Sequence, residues 1–209
     1  MNLGLLIILI TALGYLSNQL NGRWLNFKIT RWLYYLGAIV HEISHALACI
    51  LTGAKITEFK IFSKQPHVSH TKSKLPLIGQ PLISLAPIAG GLFFIYAINQ
   101  WVLNSYFTIL TPNNWNEILD TLSSSIAQIS LTDWQAWVMM LLFINVGAMI
   151  GPSTKDLKNI WPVLILMFFI NWQTLSQISL IVISLIVINI IIQIVAILIS
   201  QFLKLIPRR

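Results

Sequence analysis

Trp32-Leu-Tyr-Tyr-Leu-Gly37-Ala-Ile-Val-His41-Glu42-Ile-Ser-His45-Ala-Leu-Ala-Cys49-Ile-Leu-Thr52 decides how the rest of the chain is read. It is a run of about twenty mostly apolar residues, enough to cross a bilayer as a helix. Residues four apart on a helix share a face, so His41 and His45 can present two imidazoles to one metal ion. Glu42 lies beside His41, placed to take a proton from a metal-bound water rather than to bind the metal. The competing reading is a chance H-E-x-x-H whose histidines are satisfied by neighbouring helices. Ionisable groups are costly to bury in a membrane span and mark functional positions there, which weighs against chance. The motif is read as a zinc site with Glu42 as its general base.

Composition points to the same solvent. The 209 residues are 56% hydrophobic and 9% charged, with a mean hydropathy of +0.78. A soluble domain cannot hide that much apolar surface. The expected fold is an all-α multi-pass membrane protein with about six transmembrane helices, forming one domain over 1–209 with its core at 32–158. The net charge of +7 is no sign of nucleic acid. The basic residues cluster beside apolar spans, where they set topology and meet anionic headgroups. A lone cysteine, Cys49, excludes an intramolecular disulfide and reads as a small packing residue.

Leu3 to Leu20 is the first expected span, read as a retained helix because no basic stretch precedes it and no cleavage signal follows. The second span follows a short connection bearing Arg23, Lys28 and Arg31. Gly53 to Gln80 is the most polar stretch. Its Lys55 to Phe62 segment suggests a strand, half of a small hairpin with residues near Val68. His67 and His70 are read there as solvated loop histidines rather than a second metal site. Pro81 to Val102 is the third span. Between Asn104 and Gln135 there is no lysine or arginine. Trp115, Ile118, Leu119, Leu122, Ile126 and Ile129 recur there at helical spacing, opposite Asn116, Asp120, Ser123 and Ser124. This predicts an amphipathic helix, lying on the membrane surface or packed on the protein. Trp137 to Ile150, Trp161 to Ile170 and Ile178 to Leu203 complete the six.

Six spans with both termini cytoplasmic place ten basic residues inside: Lys55, Lys60, Lys64, Lys72, Lys74, Lys155, Lys158, Lys204, Arg208 and Arg209. Arg23, Lys28 and Arg31 then lie outside, as does the acidic loop, in keeping with the positive-inside rule. The hairpin falls on the cytoplasmic side. His45 lies seven residues before Thr52, about 10 Å deep, and the fourth helix brings Asp156 to the same side.

His41-Glu-Ile-Ser-His45-Ala-Leu-Ala with Leu51-Thr-Gly53 resembles the metal-binding helix of the site-2 protease family, intramembrane zinc metalloproteases, and is closest to their small prokaryotic branch. Asn145-Val-Gly-Ala-Met-Ile-Gly-Pro152-Ser-Thr-Lys-Asp156 is similar to the segment that supplies their third ligand, an aspartate. Ala86-Pro-Ile-Ala-Gly90-Gly91 is similar to their next small-residue segment. The resemblance covers Trp32 to Lys158. It implies one zinc per chain held by His41, His45 and Asp156, and a membrane-protein substrate cut within or near its transmembrane segment. It also implies residence in a prokaryotic plasma (inner) membrane. Ser153-Thr-Lys-Asp156 reads equally as a capping box opening a helix; the shared depth and the resemblance favour ligation. Asn145 is expected to hydrogen-bond a neighbouring helix. The competing functions are a metal-binding or transport protein, which would need further intramembrane charges, and a non-catalytic scaffold, which would need no Glu42.

Overall fold

A computed structural model describes residues 3–24, 35–63, 66–108, 116–147, 149–167, 169 and 173–205. Lys28, Arg31, Lys64, Trp115, Arg208 and Arg209, and the side chains of Arg23, Ile118, Leu122 and Lys204, lie outside this description. The chain runs α1 (Leu3–Trp24), α2 (Tyr35–Thr52), β1 (Ile56–Lys60), β2 (His67–His70), α3 (Gly79–Trp101) and α4 (Glu117–Ala127). It continues with α5 (Trp134–Leu142), a π-helical turn (Phe143–Gly147), α6 (Thr154–Met167) and α7 (Gln173–Leu205).

Three of these helices contain an apolar stretch long enough to cross a membrane: Tyr35–Thr52, Gly79–Trp101 and Val182–Ile199 within α7. Gly4–Leu20 and Trp134–Gly147 are shorter apolar helices. Among the described residues, three full-length spans are shown rather than the six expected. The expected fourth span is broken into α5 and the π-turn, and the expected fifth begins earlier, at Thr154.

Packing follows small residues, as it must where lipid gives no hydrophobic drive between helices. α2 packs chiefly on α3, and α1 on α7. A Cβ on Gly90 of α3 would overlap the Ser44 hydroxyl, and one on Gly37 of α2 would overlap the Asn145 carbonyl. Leu6 and Ile10 of α1, Met139 and Phe143, and Leu180, Ile183 and Ile186 of α7 share one buried core. A buried polar seam crosses it: Asn189 Nδ2 and Gln193 Nε2 donate to Ser17 Oγ at 2.9 and 3.0 Å. The outward side of α2 is Leu36, Ile43, Leu47, Ile50 and Leu51, all exposed and apolar. Cys49 is fully buried against Ala48, Ala54 and Ile83, in keeping with a packing role.

Gly53 ends α2. It sits at φ +72°, while Gly53 N–H donates to Ile50 O (3.2 Å) and Ala54 N–H to Cys49 O (2.9 Å). That is a Schellman cap, completed by the apolar contact of Ala54 with Cys49. The chain leaves it directly into β1. β1 and β2 pair antiparallel, with Phe59 opposite Val68 and Lys60 opposite His67, and a register shift between Ile56 and Glu58. The expected hairpin is present, and it corrects one reading: His67 and His70 lie on a strand rather than in a loop. Ser73 Oγ donates to Thr52 O at 2.9 Å, tying the hairpin's exit to the end of α2.

The far end of the bundle is held by an amide that imitates a backbone. Asn99 Nδ2 donates to Phe107 O (2.7 Å) and Asn99 Oδ1 accepts from Phe107 N–H (3.0 Å). The amphipathic helix forms as α4, with Leu119 and Ile126 exposed.

Candidate metal centre

α2 sets His41 and His45 one turn apart, and the helices around it settle which ring nitrogen each presents. His41 Nδ1 lies 2.6 Å from Met149 O, just beyond the π-turn. His45 Nδ1 lies 2.8 Å from Ile83 O in α3. A carbonyl only accepts, so each Nδ1 carries the proton, and in a neutral imidazole Nε2 is then a bare lone pair. The two Nε2 atoms face one another at 3.1 Å. Two lone pairs so placed repel unless a cation lies between them. Nitrogens about 2.0–2.1 Å from one tetrahedral ion stand ~3.3 Å apart, close to that separation.

Asp156 completes the cluster. It is 7% exposed, its Oδ2 lies 3.7 Å from His45 Nε2, and the ligand atoms of His41, His45 and Asp156 all fall within 4.8 Å of one another. Among the described residues this is the one His/Cys/Asp/Glu cluster of that kind. The capping box is there as well. Ser153 N–H and Oγ–H donate to Asp156 Oδ2 at 2.9 and 2.6 Å, and Asp156 N–H donates to Ser153 Oγ at 3.3 Å. The two readings of Asp156 prove compatible: the cap turns the carboxylate and fixes it where it meets the histidines. Two imidazoles and one carboxylate are a donor set that fits zinc with a fourth position left open.

Glu42 stands outside the three-residue cluster, half-buried, with the Val68 backbone of β2 against its carboxyl. The hairpin therefore packs against the Glu42 side of α2. Its own polar groups pair with each other: Glu58 with Lys60, and with His67 Nε2 at 3.2 Å, while His70 Nδ1 donates to Thr71 O at 2.8 Å. Asn145 differs from expectation, since its Nδ2 donates to Leu141 O (3.0 Å) in its own segment; its carbonyl serves instead as the surface against which Gly37 packs. The histidine-orienting carbonyls of Met149 and Ile83, and the double donor Ser153, were not singled out as part of the site. The nearby prolines, Pro152 and Pro87, are the signal in the sequence that could have found the carbonyls.

The arrangement can hold one divalent cation in an apolar span beside a second carboxyl. The model of the peptidase M50B-like family matches residues 5–112, which include His41, Glu42, His45 and Ala86–Gly91 and stop short of Asp156. No curated protein and no solved structure matches the chain. The match spans more than half of the sequence, and the chain belongs to the peptidase M50B-like family, a site-2 protease family domain.

Proposed function

We propose that this protein is an intramembrane zinc endopeptidase that cuts a membrane-protein substrate within or near its transmembrane segment. The observation that carries this reading is the pair of Nε2 lone pairs facing each other at 3.1 Å beside Asp156, inside a membrane-length helix. His41, His45 and Asp156 would hold the ion. Zinc there supplies Lewis acidity, lowering the pKa of a water and polarising the scissile carbonyl. Beside it, Glu42 would act as the general base, taking a proton from the attacking water and returning it to the leaving amine as the C–N bond breaks.

A substrate helix hides its carbonyls in its own hydrogen bonds, so it must unwind locally before attack. The β1 segment offers an edge to such an unwound strand: β2 occupies one side of it, and no strand among the described residues occupies the other. The proposal keeps both termini in the cytoplasm, on the distribution of basic residues. Trp101 ends α3 and Trp134 opens α5, both exposed, while Lys55, Lys60, Lys72, Lys74, Lys155 and Lys158 are exposed on the hairpin segment and the first turns of α6, in keeping with an aromatic belt and a cytoplasmic positive face.

The deciding experiment compares purified wild type with Glu42→Gln. Both should carry about one zinc per chain, since Glu42 is not a ligand, and the variant should cleave about 10²–10⁴-fold more slowly. Wild-type cleavage by Glu42→Gln would overturn the proposal.

A further inference from the structure

α3 contains a proline inside its length, Pro87. In a continuous helix each carbonyl accepts from the N–H four residues on, so Ile83 O would be claimed by residue 87. Proline has no N–H, and its ring pushes against that same carbonyl. Of the carbonyls of α3, Ile83 is the one that the side chain of His45 reaches, at 2.8 Å from Nδ1. The bond crosses between two helices and 38 residues of sequence. Ile83 is 1% exposed, so water does not compete for its carbonyl.

The second histidine repeats the pattern by an independent route. His41 Nδ1 meets Met149 O at 2.6 Å. The N–H four residues after Met149 belongs to Ser153, which donates to Asp156 Oδ2 instead; the residue three after it is Pro152, which has none. Each imidazole is thus held by a carbonyl whose helical donor has been removed.

We infer that Pro87 is a positioning residue of the metal centre: by withholding an N–H it reserves the Ile83 carbonyl for His45 Nδ1–H and so aims His45 Nε2 at the ion. The inference rests on the zinc reading for its consequence, and on the His45–Ile83 bond alone for its geometry. A proline tolerated only as a kink would release its carbonyl to any neighbour or to none. Here the released group meets the ligand that needs it, and such outer partners fix the tautomer and raise ligand basicity.

The test uses the full chain in detergent, with Pro87→Ala, which restores an N–H. Zinc affinity, read by chelator competition, should fall about 10–100-fold. In the metal-free protein, ¹⁵N shifts of the His45 ring should move from pure Nδ1–H toward a mixture with Nε2–H. The melting temperature of the metal-free variant should hold or rise, because alanine favours a helix interior, which a merely structural proline would not allow. A second variant places the ester-linked analogue of alanine at position 87, lacking both ring and N–H; it should keep wild-type zinc affinity and tautomer. If Pro87→Ala does not fold, the ester variant decides alone: wild-type zinc affinity and tautomer uphold the inference, and a loss of affinity of about 10-fold or more overturns it. Unchanged affinity and tautomer in Pro87→Ala, or a loss in the ester variant equal to that in alanine, overturns the inference. A wild-type protein without zinc affinity would instead defeat the proposed function, while the tautomer comparison would still judge the role of Pro87.

Discussion

Asp156→Ser separates the cap that Asp156 forms from the ligation proposed for it. In the structure its Oδ2 accepts from Ser153 N–H and Oγ–H at 2.9 and 2.6 Å and stands 3.7 Å from His45 Nε2. A serine at 156 withdraws that acceptor from both Ser153 donors. A buried donor left without a partner costs about 1–3 kcal/mol. Ser153 is only partly buried, so water covers part of the deficit and the expected loss is about 1 kcal/mol, the size of a lost cap. On the zinc reading, the metal would lose a charge and one of its three protein donors. Outer-partner changes alone cost 10–100-fold in affinity, so losing the ligand should exceed ~100-fold, or roughly 2.7 kcal/mol. Melting of the metal-free protein in detergent reads the first quantity, and chelator competition with zinc analysis reads the second. Asp156→Ser should be folded, zinc-depleted and inactive. Ser153→Ala removes the 2.6 Å bond to Oδ2 and the 3.3 Å bond from Asp156 N–H while keeping the carboxylate and the Ser153 N–H bond to it, and should fall between, folded and weakened about 10–100-fold for zinc. A folded Asp156→Ser with wild-type zinc affinity and cleavage would refute the reasoning and move the search to Glu58, His67 and His70.

Gly37→Ala drives a Cβ into the Asn145 carbonyl and should destabilise the protein by about 1–3 kcal/mol; since Met149 follows closely, zinc should weaken with it, and a wild-type melting curve would count against the packing argument. The Glu58 carboxyl is held below its ordinary value first by the hydrogen bond from Lys60 and then by that from His67. A carboxylate lowered in the folded state stabilises above its ordinary value of 4.5 and loses that contribution as pH falls through the lowered one. Amide exchange of the hairpin, corrected for intrinsic rate, should therefore quicken below pH 4.5 in wild type and show no such step in Glu58→Gln; identical profiles would exclude the pairing as its cause. Reporters fused after Arg209 and within 64–74 should read cytoplasmic and one near Ser124 external, and a cytoplasmic signal at Ser124 would break the orientation.

The H-E-x-x-H of α2, its membrane-length apolar setting and the Gly53 stop are local matters. They follow from a period of 3.6 residues and the burial cost of charge, so His41, Glu42, His45 and the end of the apolar run at Thr52 were legible from the residues; the positive φ of Gly53 came with the structure. The hairpin was legible from its β-branched and aromatic run, although its histidines were assigned to a loop because pairing register is not written in composition. Spans were less legible. Apolar content registers burial, but a short helix and the π-turn that continues it are together apolar enough to pass for a full crossing. What Asp156 does was beyond the sequence, because a capping box and a zinc ligand have the same local signature. Only the approach of α6 to α2 brings the capping carboxylate beside both histidines. The ring nitrogen that each histidine presents was likewise decided by tertiary structure. It depends on backbone carbonyls 108 residues away at Met149 and 38 away at Ile83, and a carbonyl has no letter of its own in the sequence.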